Sequence, residues 1–112
     1  MNKKTRVVFC KTHAGDEPVR KWLISPDLED KKSIGSDIKL LSMVSQLECQ
    51  YHWHSNNSLY EVRSNISHKR IARVIFTIID NYMVLLNGFI KRTQKTPQNE
   101  LDLALKRARD IT

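Results

Sequence analysis

A chain of 112 residues makes one domain, 1–112, with a modest hydrophobic core and no room for a second. Its 19 Lys and Arg against 12 Asp and Glu give a net charge of +7 and a pI near 9.7, which points to nucleic acid or another polyanion as partner. Cys10 and Cys49 are too few and too unpatterned for a disulfide framework, and the longest apolar stretch, residues 71–79, is broken by Arg73 and far short of a membrane span.

The opening Met1-Asn2-Lys3-Lys4 is basic, but the apolar run after it covers only residues 7–10, too short for the core of a signal peptide. The expected setting is therefore the cytoplasm, with reduced cysteines and no membrane partner. Arg6-Val7-Val8-Phe9-Cys10 is short, β-branched and apolar, and reads as a first strand. Ala14-Gly15-Asp16 ends it. Asp16-Glu17-Pro18 opens a helix with acidic residues and proline in its first turn; Val19, Trp22 and Leu23 form its apolar side, and Ser25-Pro26 stops it. A second helix starts near Asp27, with Ile34, Ile38 and Leu41 at i, i+4, i+7 and with Asp30, Lys31, Lys32, Asp37 and Lys39 mostly outward. The two make a helical hairpin whose apolar stripe needs a sheet to cover it.

Residues 46–55 read equally as strand or ordered loop, and Ser55-Asn56-Asn57-Ser58 is a turn. Three strands follow, at about 59–65, 70–79 and 82–91, joined by connections short enough for hairpins, so they should pair antiparallel in sequence order. Side chains change face at each strand residue. The even positions Tyr60, Val62, Ala72, Val74, Phe76, Ile78, Val84, Leu86, Gly88 and Ile90 are apolar or small and form the expected core face. With no bulge, Arg63, Arg73, Asn87 and Lys91 emerge together on the other face, an expected concave polyanion site that also holds Glu61 as a balancing charge. Leu59, Ile71, Ile75, Met83, Leu85 and Phe89 share that parity, so a last helix or a partner should cover part of it. That helix runs from 97 to about 110, with Leu101, Leu105 and Ala108 on one side; Lys106, Arg107 and Arg109 complement its carbonyl end. The fold class is α+β.

Between strand and last helix lies Lys91-Arg92-Thr93-Gln94-Lys95-Thr96-Pro97, and residues 81–99 contain no acid. Lys91, Arg92 and Lys95 thus keep a positive field with no carboxylate close in sequence, beside a helix start where Thr96 and Pro97 fit N-cap and first turn. Phosphate is the natural guest of such a junction. Elsewhere, Cys49, His52 and His54 are metal-capable, but alternation sets Cys49 opposite the two histidines and there is no second half-site, so no metal and no cofactor is expected. Trp22 and Trp53 read as packing residues.

Leu59-Tyr60-Glu61-Val62-Arg63, Arg70-Ile71-Ala72-Arg73-Val74 and Val84-Leu85-Leu86-Asn87-Gly88-Phe89-Ile90-Lys91-Arg92-Thr93-Gln94-Lys95-Thr96-Pro97 resemble the phage-derived HigB-like toxins of the RelE superfamily. The resemblance covers Trp22 to Arg109 in order. It implies a RelE-like fold and a ribosome-dependent mRNA endonuclease, the toxin of a type II toxin–antitoxin pair. It also implies a helix-turn-helix, HigA-like antitoxin that binds the toxin in a hetero-oligomer, with the ribosome and mRNA as further partners. The family pattern falls on Arg63, Arg73, Lys91 and Lys95 as catalytic residues; Arg92, Thr93, Asn87 and Lys69 are read as RNA contacts, and His54 as either an RNA contact or an idle surface histidine. Arg92 stands where lysine is common, and Asn87 stands where many members have histidine; asparagine hydrogen-bonds but cannot exchange a proton at neutral pH.

The chemistry such a set serves is attack of a 2′-hydroxyl on its neighbouring phosphorus. Two arginines would neutralise the phosphoryl oxygens, Lys91 would move a proton if nearby cations lower its pKa, and Lys95 would hold the backbone or leaving group. The alternative from a different class is a noncatalytic module of the same fold that binds the ribosome or the antitoxin.

Overall fold

A computed structural model describes residues 6–12, 14–42, 50–52, 58–91 and 97–111. Five strands form one mixed sheet in the order β1-β5-β4-β3-β2: β1 (Arg6–Phe9), β2 (Gln50–His52), β3 (Ser58–Ile66), β4 (Arg70–Ile79) and β5 (Tyr82–Lys91). The helices are α1 (Pro18–Trp22), α2 (Leu28–Ser42) and α3 (Gln98–Ile111). The architecture is α+β, and the expected antiparallel meander is present as β3-β4-β5. β1 joins its outer edge in parallel, register Arg6↔Tyr82 to Phe9↔Leu85.

The acids expected in the first turn of α1 lie just before it. Glu17 is the N-cap residue, and Arg20 and Lys21 reach back to Glu17 and Asp16 in exposed ion pairs of 3.2 and 2.9 Å. Gly15 takes φ +91 in the turn ahead of them, a conformation that glycine adopts without a Cβ penalty. In α2 the expected stripe is buried at Ile34 and Ile38. Asp30, expected outward, is buried instead. Its carboxylate accepts from the backbone N–H and hydroxyl of Ser67, at 3.1 and 2.9 Å, and from Arg70 Nη2 at 3.2 Å, which ties α2 to the β3–β4 turn. These hydrogen bonds from Ser67, first its N–H and then its hydroxyl, hold the Asp30 carboxyl below its usual pKa, helped by Arg70 and His68.

The turn that Asp30 secures is strained. His68 and Lys69 have φ 61 and 56, two consecutive left-handed residues in the three-residue connection between Ile66 and Arg70, with neither residue a glycine. The clamp from α2 supplies the tertiary support that local propensity does not.

One correction concerns the faces of β5. The register steps from Ile75↔Asn87 to Phe76↔Leu85, leaving Leu86 as an extra residue in a bulge. Alternation inverts there. Val84 and Leu86, expected with the even-numbered core, pack on the α3 side, while Met83 and Leu85 turn toward α1 and α2. The sheet therefore has a core on each face. Ile34, Ile38, Val19, Val74 and Phe76 build one; Leu59, Ile75, Phe89, Leu101, Ala104 and Ala108 build the other. On the first, Gly88 lies so close under the Trp22 indole that any Cβ would collide with its ring carbons, so the backbone approach requires glycine and Trp22 packs as expected. On the second, Cys10 is buried and not in a disulfide; burial pushes its thiol pKa up, Arg107 opposes this and Asp110 adds to it, so the thiol stays protonated at neutral pH.

Candidate active site

Strand register sets three rows across the α3 side of the sheet: Glu61–Ile75–Asn87, Arg63–Arg73–Phe89 and Asn65–Ile71–Lys91. Arg63 and Arg73 are direct cross-strand neighbours, and Asn87 and Lys91 flank their row on β5. The four residues expected on one surface do share it.

Their environments differ. Arg73 is fully buried, whereas the Arg63 side chain is 41% exposed. Glu61, two residues before Arg63 on the same face, is buried and accepts from Arg63 Nε at 2.5 Å. It also stands on the diagonal of the arginine pair, within the span that long side chains bridge between strands. Glu61 thus supplies a negative charge beside Arg63, whose guanidinium stands across the ladder from that of Arg73. The expectation of one open pocket is corrected: the face is closed over Arg73, and Arg63 is the member of the pair that solvent reaches. α3 packs on this side of the sheet, with Ala104 and Ala108 in the cluster that holds Ile75 and Phe89, the neighbours of Arg73.

Asn87 is buried and engaged on both ends of its amide. Its Nδ2 donates to Glu100 Oε2 at 2.9 Å and to the Glu100 carbonyl at 3.3 Å; its Oδ1 accepts from Arg107 Nη1 at 3.3 Å. The same Arg107 nitrogen donates to the Leu86 carbonyl at 2.8 Å, at the bulge. Arg107 was expected at the carbonyl end of its own helix and is instead a strap from α3 to β5. Glu100 and Arg107 were not singled out for this site from sequence. The bulge that brings them to Leu86 and Asn87 has no glycine or proline to announce it.

Lys91 is exposed at the end of β5, and Lys69 is exposed in the turn at the same end of the sheet. Arg92, Thr93, Lys95 and His54 lie outside the described residues, as does Cys49. Among the described residues no three His, Cys, Asp or Glu side chains converge as a metal set would, and no helix is long and apolar enough to cross a membrane.

No curated protein and no solved structure matches the chain. A family model does, over residues 21–109, from the end of α1 through α3. With most of its length matched, including every described residue of the arginine face, the chain belongs to the family described as Phage derived protein Gp49-like (DUF891), which is associated with the toxins of toxin–antitoxin systems.

Proposed function

We propose that this chain is a HigB-like toxin with a RelE-like arrangement, which cuts mRNA in the ribosome and is silenced by a helix-turn-helix, HigA-like antitoxin bound in a hetero-oligomer in the cytoplasm. The observation that carries the reading is the opposed pair Arg63 and Arg73 on adjacent strands. Like charges directly across a ladder destabilise a sheet. A pair opposed in this way, with one member beside the buried Glu61 carboxylate, has a purpose if the face meets an anion.

In the proposed reaction the 2′-oxygen attacks phosphorus, the P–O5′ bond breaks, and the products are a 2′,3′-cyclic phosphate and a 5′-hydroxyl. The proton leaves the 2′-hydroxyl for a base, and the departing 5′-oxygen takes one up. Arg63 presents its fork to the phosphoryl oxygens. Arg73, enclosed behind it, contributes field and holds the face in register. Lys91 and Lys95 serve the proton and the leaving oxygen; Arg92, Thr93, Lys69 and His54 contact the strand. Asn87 is a positioning residue, because its amide carries no exchangeable charge at neutral pH.

Expression of the toxin followed by mapping of cellular mRNA 5′ ends tests this. New 5′-hydroxyl ends inside translated regions are expected, and Arg63→Ala should remove most of them while the protein stays folded. An unchanged 5′-end profile with wild-type toxin rejects the nuclease. It would leave the noncatalytic ribosome- or antitoxin-binding module, which one observation favours: the family's histidine position is filled by an amide tied to α3.

A further inference from the structure

Past Tyr60, β3 has no strand on its outer side among the described residues, since β2 pairs only with Ser58, Leu59 and Tyr60. α2 packs mainly against β3. Between them lies a groove of about 640 Å³, its walls including Lys32, Ser36, Asp37 and Leu40 from α2 with Arg63 and Asn65 from β3. On α2, Lys32, Ser36 and Leu40 follow one another at i, i+4, i+8, a ridge about 12 Å long at 1.5 Å per residue. Ile34 and Ile38 on the opposite side bury the helix against the sheet. The ridge is therefore held in place and faces outward.

The order of groups along it has a chemical sense. Lys32 and Arg63 offer positive charge, Ser36 and Asn65 offer hydroxyl and amide, Asp37 offers an acceptor, and Leu40 is 64% exposed at the end. A bare polyanion has no use for the leucine and is opposed by the aspartate. An apolar ligand has no use for the two cations. A nucleotide uses all of them: phosphate on the cations, base edge and 2′-hydroxyl on the amide, hydroxyl and carboxylate, and base face on the leucine.

We propose that this groove seats the nucleotide next to the scissile phosphate and sets which base is accepted there. The inference rests on the nuclease reading, because Arg63 belongs to both places. Its Nε is fixed by Glu61, which holds the guanidinium where the groove meets the arginine pair. A strand whose phosphate sits on Arg63 continues along α2.

Titration of isotope-labelled toxin with single-stranded hexamers of A, U and C, followed by backbone amide NMR, tests the groove without requiring cleavage. Saturable shifts at Lys32, Ser36, Asp37, Leu40 and Asn65 are expected, larger for one base. They should be lost in Ser36→Trp, which fills the groove from an exposed helix position. Lys32→Ala and Asn65→Ala should each weaken binding by roughly two- to tenfold, the range of a single polar contact. Lys32→Ala alone should also lower the salt slope by about 0.7. Absence of shifts on α2 overturns the groove. So does a wild-type 5′-end profile that Lys32→Ala, Asn65→Ala and Ser36→Trp leave unaltered in position and yield, and in that case the nuclease reading stands. If wild type makes no 5′-hydroxyl ends while the hexamers still bind along α2, the nuclease reading falls and the groove remains an RNA-binding site.

Discussion

At the scale of single residues, burial separates two arginines that sequence treats alike. Arg63 and Arg73 occupy equivalent alternation positions on neighbouring strands, yet in the fold Arg63 faces solvent and Arg73 is enclosed. Their substitutions should therefore differ in kind. Arg73→Ala deletes a large, fully buried side chain and leaves a cavity between the strands, so it should cost about 3 kcal/mol or more. Arg63→Ala removes a half-exposed side chain but leaves the buried Glu61 carboxylate without that donor, and should cost less, about 1–2 kcal/mol. Urea unfolding of the two variants checks this, and equal losses would mean that Arg63 is as structural as Arg73. The consequence for function is practical: lost toxicity in Arg73→Ala is ambiguous, whereas lost toxicity in Arg63→Ala reports on the phosphate site.

At the scale of elements, the α2–turn junction is where long-range contacts override local propensity. His68 and Lys69 take left-handed backbone that glycine or asparagine would adopt more readily, and Asp30, 37 residues before Ser67, holds the turn. Lys69→Gly should thus raise stability by about 1 kcal/mol, read as a higher urea midpoint; no gain would mean that the lysine side chain already offsets the strain. The carboxyl of Asp30 has its folded pKa lowered by Ser67. The unfolded chain therefore takes up the proton first as pH falls. The clamp's contribution is full above the unfolded carboxyl value of about 3.9 and is lost as pH drops through the lower folded value. The stability gap between wild type and Asp30→Asn should be wide at pH 6 and close in acid, and a gap that does not change with pH would rule out an ionised clamp. Most element types were legible from periodicity: the meander, both long helices and the first strand follow from alternation and from the i, i+4, i+7 spacing of Ile34, Ile38 and Leu41. Two features were not. The bulge at Leu86 inverts alternation without a turn residue to mark it, and the burial of Asp30 depends on a partner in another element that no local pattern encodes.

At the scale of the whole molecule, the sheet carries two cores that answer to different helices, and the proposed nuclease face belongs to the one under α3. That face was legible as a set of residues on shared parity, but not in its degree of closure, because closure depends on how α3 returns over the sheet. Besides apolar packing, the α3 side is fastened by Arg107, whose one Nη1 serves both the Leu86 carbonyl and Asn87 Oδ1. Arg107→Met keeps the aliphatic stem and deletes both hydrogen bonds, so the loss should be local to α3. A hydrogen bond to a charged donor contributes about 1.5–3 kcal/mol, so amide exchange in residues 98–111 should accelerate by at least about tenfold. Exchange in α2 and in its partners on β3 and β4 should change little, because Ile34 and Ile38 pack on the other face. Hydrogen-exchange mass spectrometry resolves the two regions. Uniform acceleration across both would mean that the two faces of the sheet unfold as one unit, so that the cores under α2 and α3 open together.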